Sequence, residues 1–252
     1  MKLSSIIIAK NEENNIRRCI DSQLNCIDDI VVIIDSASTD RTREIVESYQ
    51  NVNFAITGWK GFSETKKFAL LKTQYDWILW IDADEEITPE LRTELNEFKK
   101  TEPFSAAYSV ARKAYFLGRW IKHSGWYPGR VIRLFNKNTA EFSSNEVHEH
   151  LKINGEVGKL NHDLIHYTDP DLHHYLMKLN KYTTLSANEL YRQGKIAKIS
   201  DLTIRPILMF IKMYIFKAGF LDGYHGFILA VLSSVHVFSK YSKLWELNKI
   251  KK

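Results

Sequence analysis

The sequence predicts an α/β protein in which a mostly parallel sheet is flanked by helices and followed by a helical C-terminal region. Four short runs rich in β-branched and aromatic residues, at 5–9, 30–34, 53–56 and 77–81, carry the first part of that reading. Between them, apolar residues recur at helical spacing. Strands that are apolar on both faces and separated by helices are what a parallel sheet covered on both sides requires.

Taken in order, Ser5-Ile6-Ile7-Ile8-Ala9 stops at Lys10-Asn11-Glu12-Glu13, after which Ile16, Cys19, Ile20 and Leu24 mark a helix. Ile30-Val31-Val32-Ile33-Ile34 ends in Asp35-Ser36-Ala37-Ser38-Thr39-Asp40, and Ile45, Val46 and Tyr49 mark the next helix. Asn53-Phe54-Ala55-Ile56 reads as a third strand. Trp77-Ile78-Leu79-Trp80-Ile81 is a fourth, closing on Asp82-Ala83-Asp84-Glu85. Thr88-Pro89-Glu90 then reads as N-cap, N1 proline and first-turn acid, with Leu91, Leu95 and Phe98 on one helix face.

A chain of 252 residues, 44% hydrophobic and 26% charged, can bury a sizeable core and is neither disordered nor collagen-like. The softest boundaries lie near Glu102-Pro103 and Asp169-Pro170, dividing it into residues 1–103, 104–170 and 171–252. Internal repeats and low-complexity linkers are absent. Cys19 and Cys26 form neither a disulfide framework nor a Cys-rich zinc site and suit a reducing cytosol. The apolar N-terminal stretch is too short for a signal peptide, which predicts a cytoplasmic protein.

Polar residues concentrate where the strands end, and parallel α/β sheets bind ligands at the carboxyl ends of their strands. Any one polar turn is ordinary; three in series, each with carboxylates, point to a site. Asp82-Ala83-Asp84 is the sharpest feature. Two carboxylates just past a buried strand can share one hard divalent cation, whose other positions go to phosphate oxygens and water. Such a cation neutralises charge on a departing diphosphate. Gly-x-x-x-x-Gly-Lys-Ser/Thr and Gly-x-Gly-x-x-Gly loops are both missing, which excludes P-loop and dinucleotide-binding readings.

Together, residues 9–13, 35–42 (DSASTDRT), 61–66 (GFSETK) and 82–85 (DADE) resemble the family 2 glycosyltransferases. Those are inverting enzymes of the GT-A (Rossmann-like) fold that use nucleotide-diphosphate sugars. The likeness continues through 125–135 (GWYPGRVIRLF), Val147-His148-Glu149 and 219–223 (GFLDG), and is similar to the subgroup adding glucose to the first heptose of the lipopolysaccharide inner core. It implies a UDP-sugar donor and Mn²⁺ or Mg²⁺. It implies that Ala9, Asn11 and Glu12 frame the nucleotide, that Asp35 contacts uracil and that Lys66 lies near the nucleotide. Asp84 becomes the direct metal ligand, with Asp82 nearer the ribose or a metal-bound water. Two positions depart from the family pattern: Ser36 stands where a second acid is frequent, and Lys67 where an Asn commonly follows the lysine.

Inversion by direct displacement needs a carboxylate to take the acceptor hydroxyl's proton. Glu146, Glu149 and Asp163 qualify by position, and the resemblance favours Glu149, with His148 orienting it or meeting acceptor phosphate. Trp126, Tyr127, Arg130 and Arg133 are acceptor-side candidates, since aromatic faces stack on sugars and guanidinium forks grip phosphates. The histidine spacing fits no standard zinc site, leaving His166 as a candidate extra metal ligand.

From residue 195 onward ten Lys or Arg face three acids, whereas the preceding residues hold 25 basic and 27 acidic side chains. The positive excess therefore belongs to the tail. Residues 204–216 are apolar but interrupted by Arg205, Pro206 and Lys212, and the uncharged stretch 223–239 has only 17 residues. A spanning helix needs about 20. The expectation is a membrane-associating tail of two interfacial helices, with lysines meeting anionic lipid and Leu244-Trp245 at headgroup level. A soluble helical hairpin is the alternative. The apolar character disfavours nucleic acid as a partner. The overall expectation is a transferase on the inner face of the cytoplasmic membrane, with a lipid-linked or lipopolysaccharide-core acceptor. Left open are a capsule, other glycan or polyprenyl-phosphate acceptor, and a non-catalytic nucleotide-sugar, membrane or nucleic-acid binder.

Overall fold

Each of the four apolar runs forms a strand in the computed structural model, which describes residues 1–59, 61–142 and 151–250. The first half alternates β1 (Leu3–Ala9), α1 (Ile16–Gln23), β2 (Asp29–Asp35), α2 (Thr42–Glu47), β3 (Val52–Thr57), α3 (Phe62–Leu70) and β4 (Trp77–Trp80). Then come β5 (Glu85–Ile87), α4 (Pro89–Phe98), β6 (Ala107–Phe116), β7 (Arg119–Trp120), β8 (Gly129–Asn136), β9 (Ala140–Phe142), β10 (Leu151–Ile153) and β11 (Val157–Asp169). The start of α4 follows its sequence signal: Thr88 Oγ1 accepts from Leu91 N at 3.2 Å, with Pro89 in the first turn.

The strands β3-β2-β1-β4 are mutually parallel, so β1, β2 and β4 deliver their carboxyl ends to one edge. Past β4 the sheet becomes mixed. It continues β8-β6-β11-β5, with β8 antiparallel to β4 and β5 antiparallel to β11. The strands after α4 lack the intervening crossover helices that parallel neighbours need. Side-chain alternation sends Ile7, Val32 and Ile34 to one face with Ile16, Ile20, Leu91 and Leu95. Ile6, Val31 and Ile33 go to the other with Ile78, Phe135 and Phe142. Burial on both faces explains why these strands read as unbroken apolar runs.

The chain divides into two compact units, Met1–Arg112 with Arg130–His166, and Lys113–Gly129 with Tyr167–Lys252. The second unit holds the β7 hairpin, α5 (Leu172–Arg192), α6 (Ile199–Ile211), a π turn (Lys212–Phe216), a 3₁₀ turn (Gly219–Asp222) and α7 (Gly223–Ile250). Its core gathers Phe116, Ile121, Met213, Leu229 and Ala230, with Trp126, Tyr175 and Tyr214 packed against it. The carbonyl of Pro206, inside α6, accepts from Ser234 Oγ at 2.9 Å, tying α6 to α7. Lys243 Nζ donates to Asn180 O and to Thr183 Oγ1, both at 2.8 Å, tying α7 to α5. A Cβ on Gly226 would lie 1.9 Å from the Gly219 carbonyl oxygen, so the backbone approach at the start of α7 requires glycine.

The tail differs from expectation in one respect. Together with the preceding 3₁₀ turn, α7 spans 32 residues, Gly219–Ile250, at a mean hydropathy of 1.2 over its most apolar window, and by length and composition can cross a membrane. Its uncharged segment is short, but the helix does not end with it: it continues through Lys240, Lys243 and Lys249.

Candidate active site

The carboxyl edge of the parallel strands is stitched together by its polar turns. Asn11, in the left-handed region at φ 54°, accepts at Oδ1 from Thr39 N at 2.8 Å. Glu12 N donates to Thr42 Oγ1 at 2.7 Å, Thr42 Oγ1 donates to Asp40 Oδ1 at 2.6 Å, and Glu13 N donates to Asp40 Oδ2 at 2.9 Å. The Glu12 side chain accepts from Asn15 Nδ2 at 2.9 Å, a contact that begins α1. Ala9 is buried at the end of β1.

Asp35, almost fully buried at the end of β2, accepts from Ala37 N at 2.9 Å and pairs with Lys10 Nζ at 2.9 Å. The Ala37 amide, with Lys10 beside it, holds the Asp35 carboxyl below the usual carboxylate range.

The turn after β4 is built on a buried ion cluster. Asp82 N donates to Glu85 Oε2 at 2.9 Å, and Glu85 N donates back to Asp82 O at 2.9 Å. Arg133, from β8 and only 3% exposed, donates through Nη2 to Glu85 Oε1 at 2.7 Å and also to Asp82 Oδ2. Arg112 Nη1 lies 3.6 Å from the same Glu85 oxygen. The remaining Asp82 oxygen, Oδ1, accepts from Trp80 Nε1 at 3.2 Å. Above the Trp80 ring sit Lys66 Nζ, 3.6 Å from its centroid, and the Arg133 guanidinium, at 4.7 Å.

These contacts set the charges. Burial pushes the Asp82 carboxyl up, but Arg133, aided by His166 and Lys66, brings it below its ordinary value. Glu85 goes the other way: burial raises it, and the neighbouring Asp82 charge adds to this despite Arg133. Both carboxylates stabilise the Arg133 cation against the cost of burial.

Asp84 is aimed elsewhere. Its Oδ2 lies 3.3 Å from His166 Nε2, brought there by the β11–β5 ladder that pairs His166 with Glu85. Each Asp82 oxygen accepts a hydrogen bond, and Asp84 and His166 lie together as further donors that could hold a divalent cation at this edge. A carboxylate, with other positions left to diphosphate oxygens and water, suits Mn²⁺ or Mg²⁺, and an added imidazole favours Mn²⁺ of the two. Among the described residues no group of three His, Cys, Asp or Glu donors is preassembled.

The acceptor-side candidates are divided between the two units. Arg133 belongs to the buried cluster, where its Nη2 donates to Glu85 and Asp82. Arg130 is likewise committed, donating to the carbonyls of Ser109 and Leu160. Trp126 and Tyr127 lie in the second unit, edge-on to Phe116 at 6.0 Å and to Trp120 at 5.4 Å. Asp163 is on β11, where its carbonyl accepts from Thr88 Oγ1 at 2.8 Å. Glu146, His148 and Glu149 lie outside the described residues.

Sequence reasoning missed the Arg133–Glu85 pair and the place of Trp80. One signal was present: a lone arginine inside the apolar run Val131-Ile132-Arg133-Leu134-Phe135 must find a buried carboxylate.

A parallel half-sheet carrying an acid pair at its carboxyl edge, extended by antiparallel strands, is the GT-A fold. The chain belongs to glycosyl transferase family 2, whose model matches residues 4–153. It is 30% identical over 257 residues, covering 100% of this chain and 94% of the relative, to the lipopolysaccharide core biosynthesis glycosyltransferase LpsC of Rhizobium meliloti (strain 1021). It is 31% identical over 261 residues to an uncharacterized glycosyltransferase of Rickettsia felis, covering 97% of this chain and 90% of that one. Among solved structures, the mannosyltransferase PcManGT of Pyrobaculum calidifontis, in complex with GDP-Man and Mn²⁺, superposes with a TM-score of 0.55 at 13% identity, covering 96% of this chain and 86% of that one. That likeness supports the fold.

Proposed function

We propose that this family 2 glycosyltransferase is an inverting, metal-dependent enzyme that moves glucose from UDP-glucose to a lipopolysaccharide inner-core heptose at the inner face of the cytoplasmic membrane. The observation that carries the acceptor class is the full-length likeness to a relative named for lipopolysaccharide core biosynthesis. The donor reading rests on the polar edge where Asp35, Asp82 and Asp84 converge.

In this reading residues 1–103 hold the donor, 104–170 contribute acceptor contacts and the base, and 171–252 attach to the membrane. Ala9, Asn11, Glu12 and Asp35 receive the nucleotide, and buried Lys66 supplies positive charge beside Trp80. Asp84, with His166, would hold Mn²⁺ or Mg²⁺, which when bound neutralises the diphosphate leaving group. Asp82 stays clamped by Arg133 and Trp80 and frames the ribose side. Glu149 takes the acceptor hydroxyl's proton as the oxygen attacks the anomeric carbon from the face opposite the leaving group. The exposed apolar residues of α6 and α7 and the surrounding lysines support attachment to anionic lipid.

The test is titration of UDP-, GDP- and dTDP-sugars, with and without Mn²⁺, into the protein and into Asp84→Ala. Mn²⁺-dependent binding of UDP-glucose that disappears in the variant supports the reading. A preference for another nucleotide sugar overturns the donor assignment.

A further inference from the structure

Residues 113–129 of the second unit contain no Asp or Glu, but they carry Lys113, Arg119 and Lys122 among five aromatic residues. The structure draws two of these cations to one ring. Lys113 Nζ and Lys122 Nζ lie 5.3 Å and 4.8 Å from the centroid of half-buried Trp120, and Tyr127 meets the same ring edge-on at 5.4 Å. The Arg119 guanidinium lies over Gly223, its Nη1 3.7 Å from where a Cβ would sit. An aromatic face framed by cations suits a ligand that is both saccharide and anion: the ring stacks on the sugar while the cations pair with phosphate.

A second observation says how that ligand is presented. The segment is held on the turn between α6 and α7 by Asp222, which is 2% exposed. Asp222 accepts from Lys122 N at 3.2 Å and His123 N at 2.9 Å, and contacts His123 Nδ1 at 3.1 Å. Ser124 N donates to Lys217 O at 2.8 Å. The same turn displays bare apolar side chains: Phe216 is 79% exposed and Tyr224 86%, with Phe220 and Leu221 beside them. A polar, cationic surface is thus bonded directly to an apolar corner.

We infer that this unit binds the phosphorylated saccharide head of an amphiphile. Lys113, Arg119, Trp120 and Lys122 take the head, while the Phe216–Tyr224 corner enters the apolar layer that carries it. Calling the ligand the transfer acceptor rests on the proposed function; binding itself needs no transfer.

The experiment is vesicle sedimentation of the full chain. It compares phosphatidylcholine vesicles doped with a diphosphorylated glucosamine-disaccharide lipid against vesicles matched in charge with phosphatidylglycerol. The expected result is binding about tenfold tighter to the saccharide-bearing vesicles. Lys113→Ala with Lys122→Ala, and separately the milder Lys122→Gln, should abolish or reduce that preference. Mannose 6-phosphate should compete and equimolar inorganic phosphate should not. Equal binding to both vesicles, a preference untouched in the lysine variants, or equal competition by inorganic phosphate each overturns the proposal. Asp84→Ala separates the two readings: it should lose nucleotide-sugar binding and keep the vesicle preference. A wild-type protein that shows the preference but binds no nucleotide sugar would sink the transferase reading and leave this one standing.

Discussion

Arg133 Nη2 donates to Glu85 Oε1 at 2.7 Å, and neither side chain is more than 4% exposed. Through this one pair, β8 fixes the turn that carries Asp82 and Asp84, because Glu85 also accepts the Asp82 amide and Arg133 also holds the Asp82 carboxylate. The Asp82 end of the turn is thereby fixed by contacts within the protein.

Removing one partner of a buried pair leaves an uncompensated charge. Arg133→Gln is expected to cost about 3–5 kcal/mol of stability, measured by urea denaturation. Adding Glu85→Gln should recover part of that loss, so the double variant should fall well short of the sum of the singles. Simple additivity would show that the two side chains are not coupled.

Glu149→Gln should reduce transfer by about 10²–10⁴-fold while leaving UDP-sugar affinity unchanged. Full transfer in that variant would return the role of base to Glu146 or Asp163.

His166→Ala should weaken Mn²⁺ binding by about tenfold or more, read by calorimetry in the absence of acceptor. Asp84→Ala should remove binding. If Asp82→Asn weakens the metal as much as Asp84→Ala, then Asp82 leaves its clamp to ligate.

The acid limb of stability should include Asp35. Its folded carboxyl lies below the unfolded value, so its contribution is present above the unfolded value, about 3.9, and is lost as pH falls through the lower folded value. Asp35→Asn should therefore destabilise the protein at pH 7 and flatten the decline below about pH 4. A variant whose pH–stability curve parallels the parent would refute this.

Gly226→Ala places a methyl group 1.9 Å from the Gly219 carbonyl oxygen. The start of α7 must shift, at a cost of about 1–3 kcal/mol. Thermal unfolding of this variant against Gly194→Ala, where a Cβ meets open space but the residue has φ 71°, separates crowding from backbone strain.

The parallel half of the fold and its polar edge were legible in the sequence because they are written locally. Ile6-Ile7-Ile8 and Val31-Val32-Ile33 are unbroken apolar runs, since both faces of β1 and β2 are covered, and Thr88-Pro89 caps α4 with its own atoms. The antiparallel strands beyond β4 were less legible: β8 and β11 mix charged and apolar residues, and their partners lie far along the chain. Arg133 shows why roles are harder to read than elements. Next to Gly129-Arg130 it looks like an anion-binding arginine; only the register of β8 on β4, which puts Leu134 opposite Leu79, sets it beneath the Asp82–Glu85 turn. Likewise, His166 reaches Asp84 only because β11 pairs with β5, about 80 residues earlier in the chain. Local hydrophobic periodicity and capping chemistry determined which segments become strands and helices. Which charges meet was decided by strand pairing between distant segments, where a buried ion is stable only beside the partner the sheet brings to it.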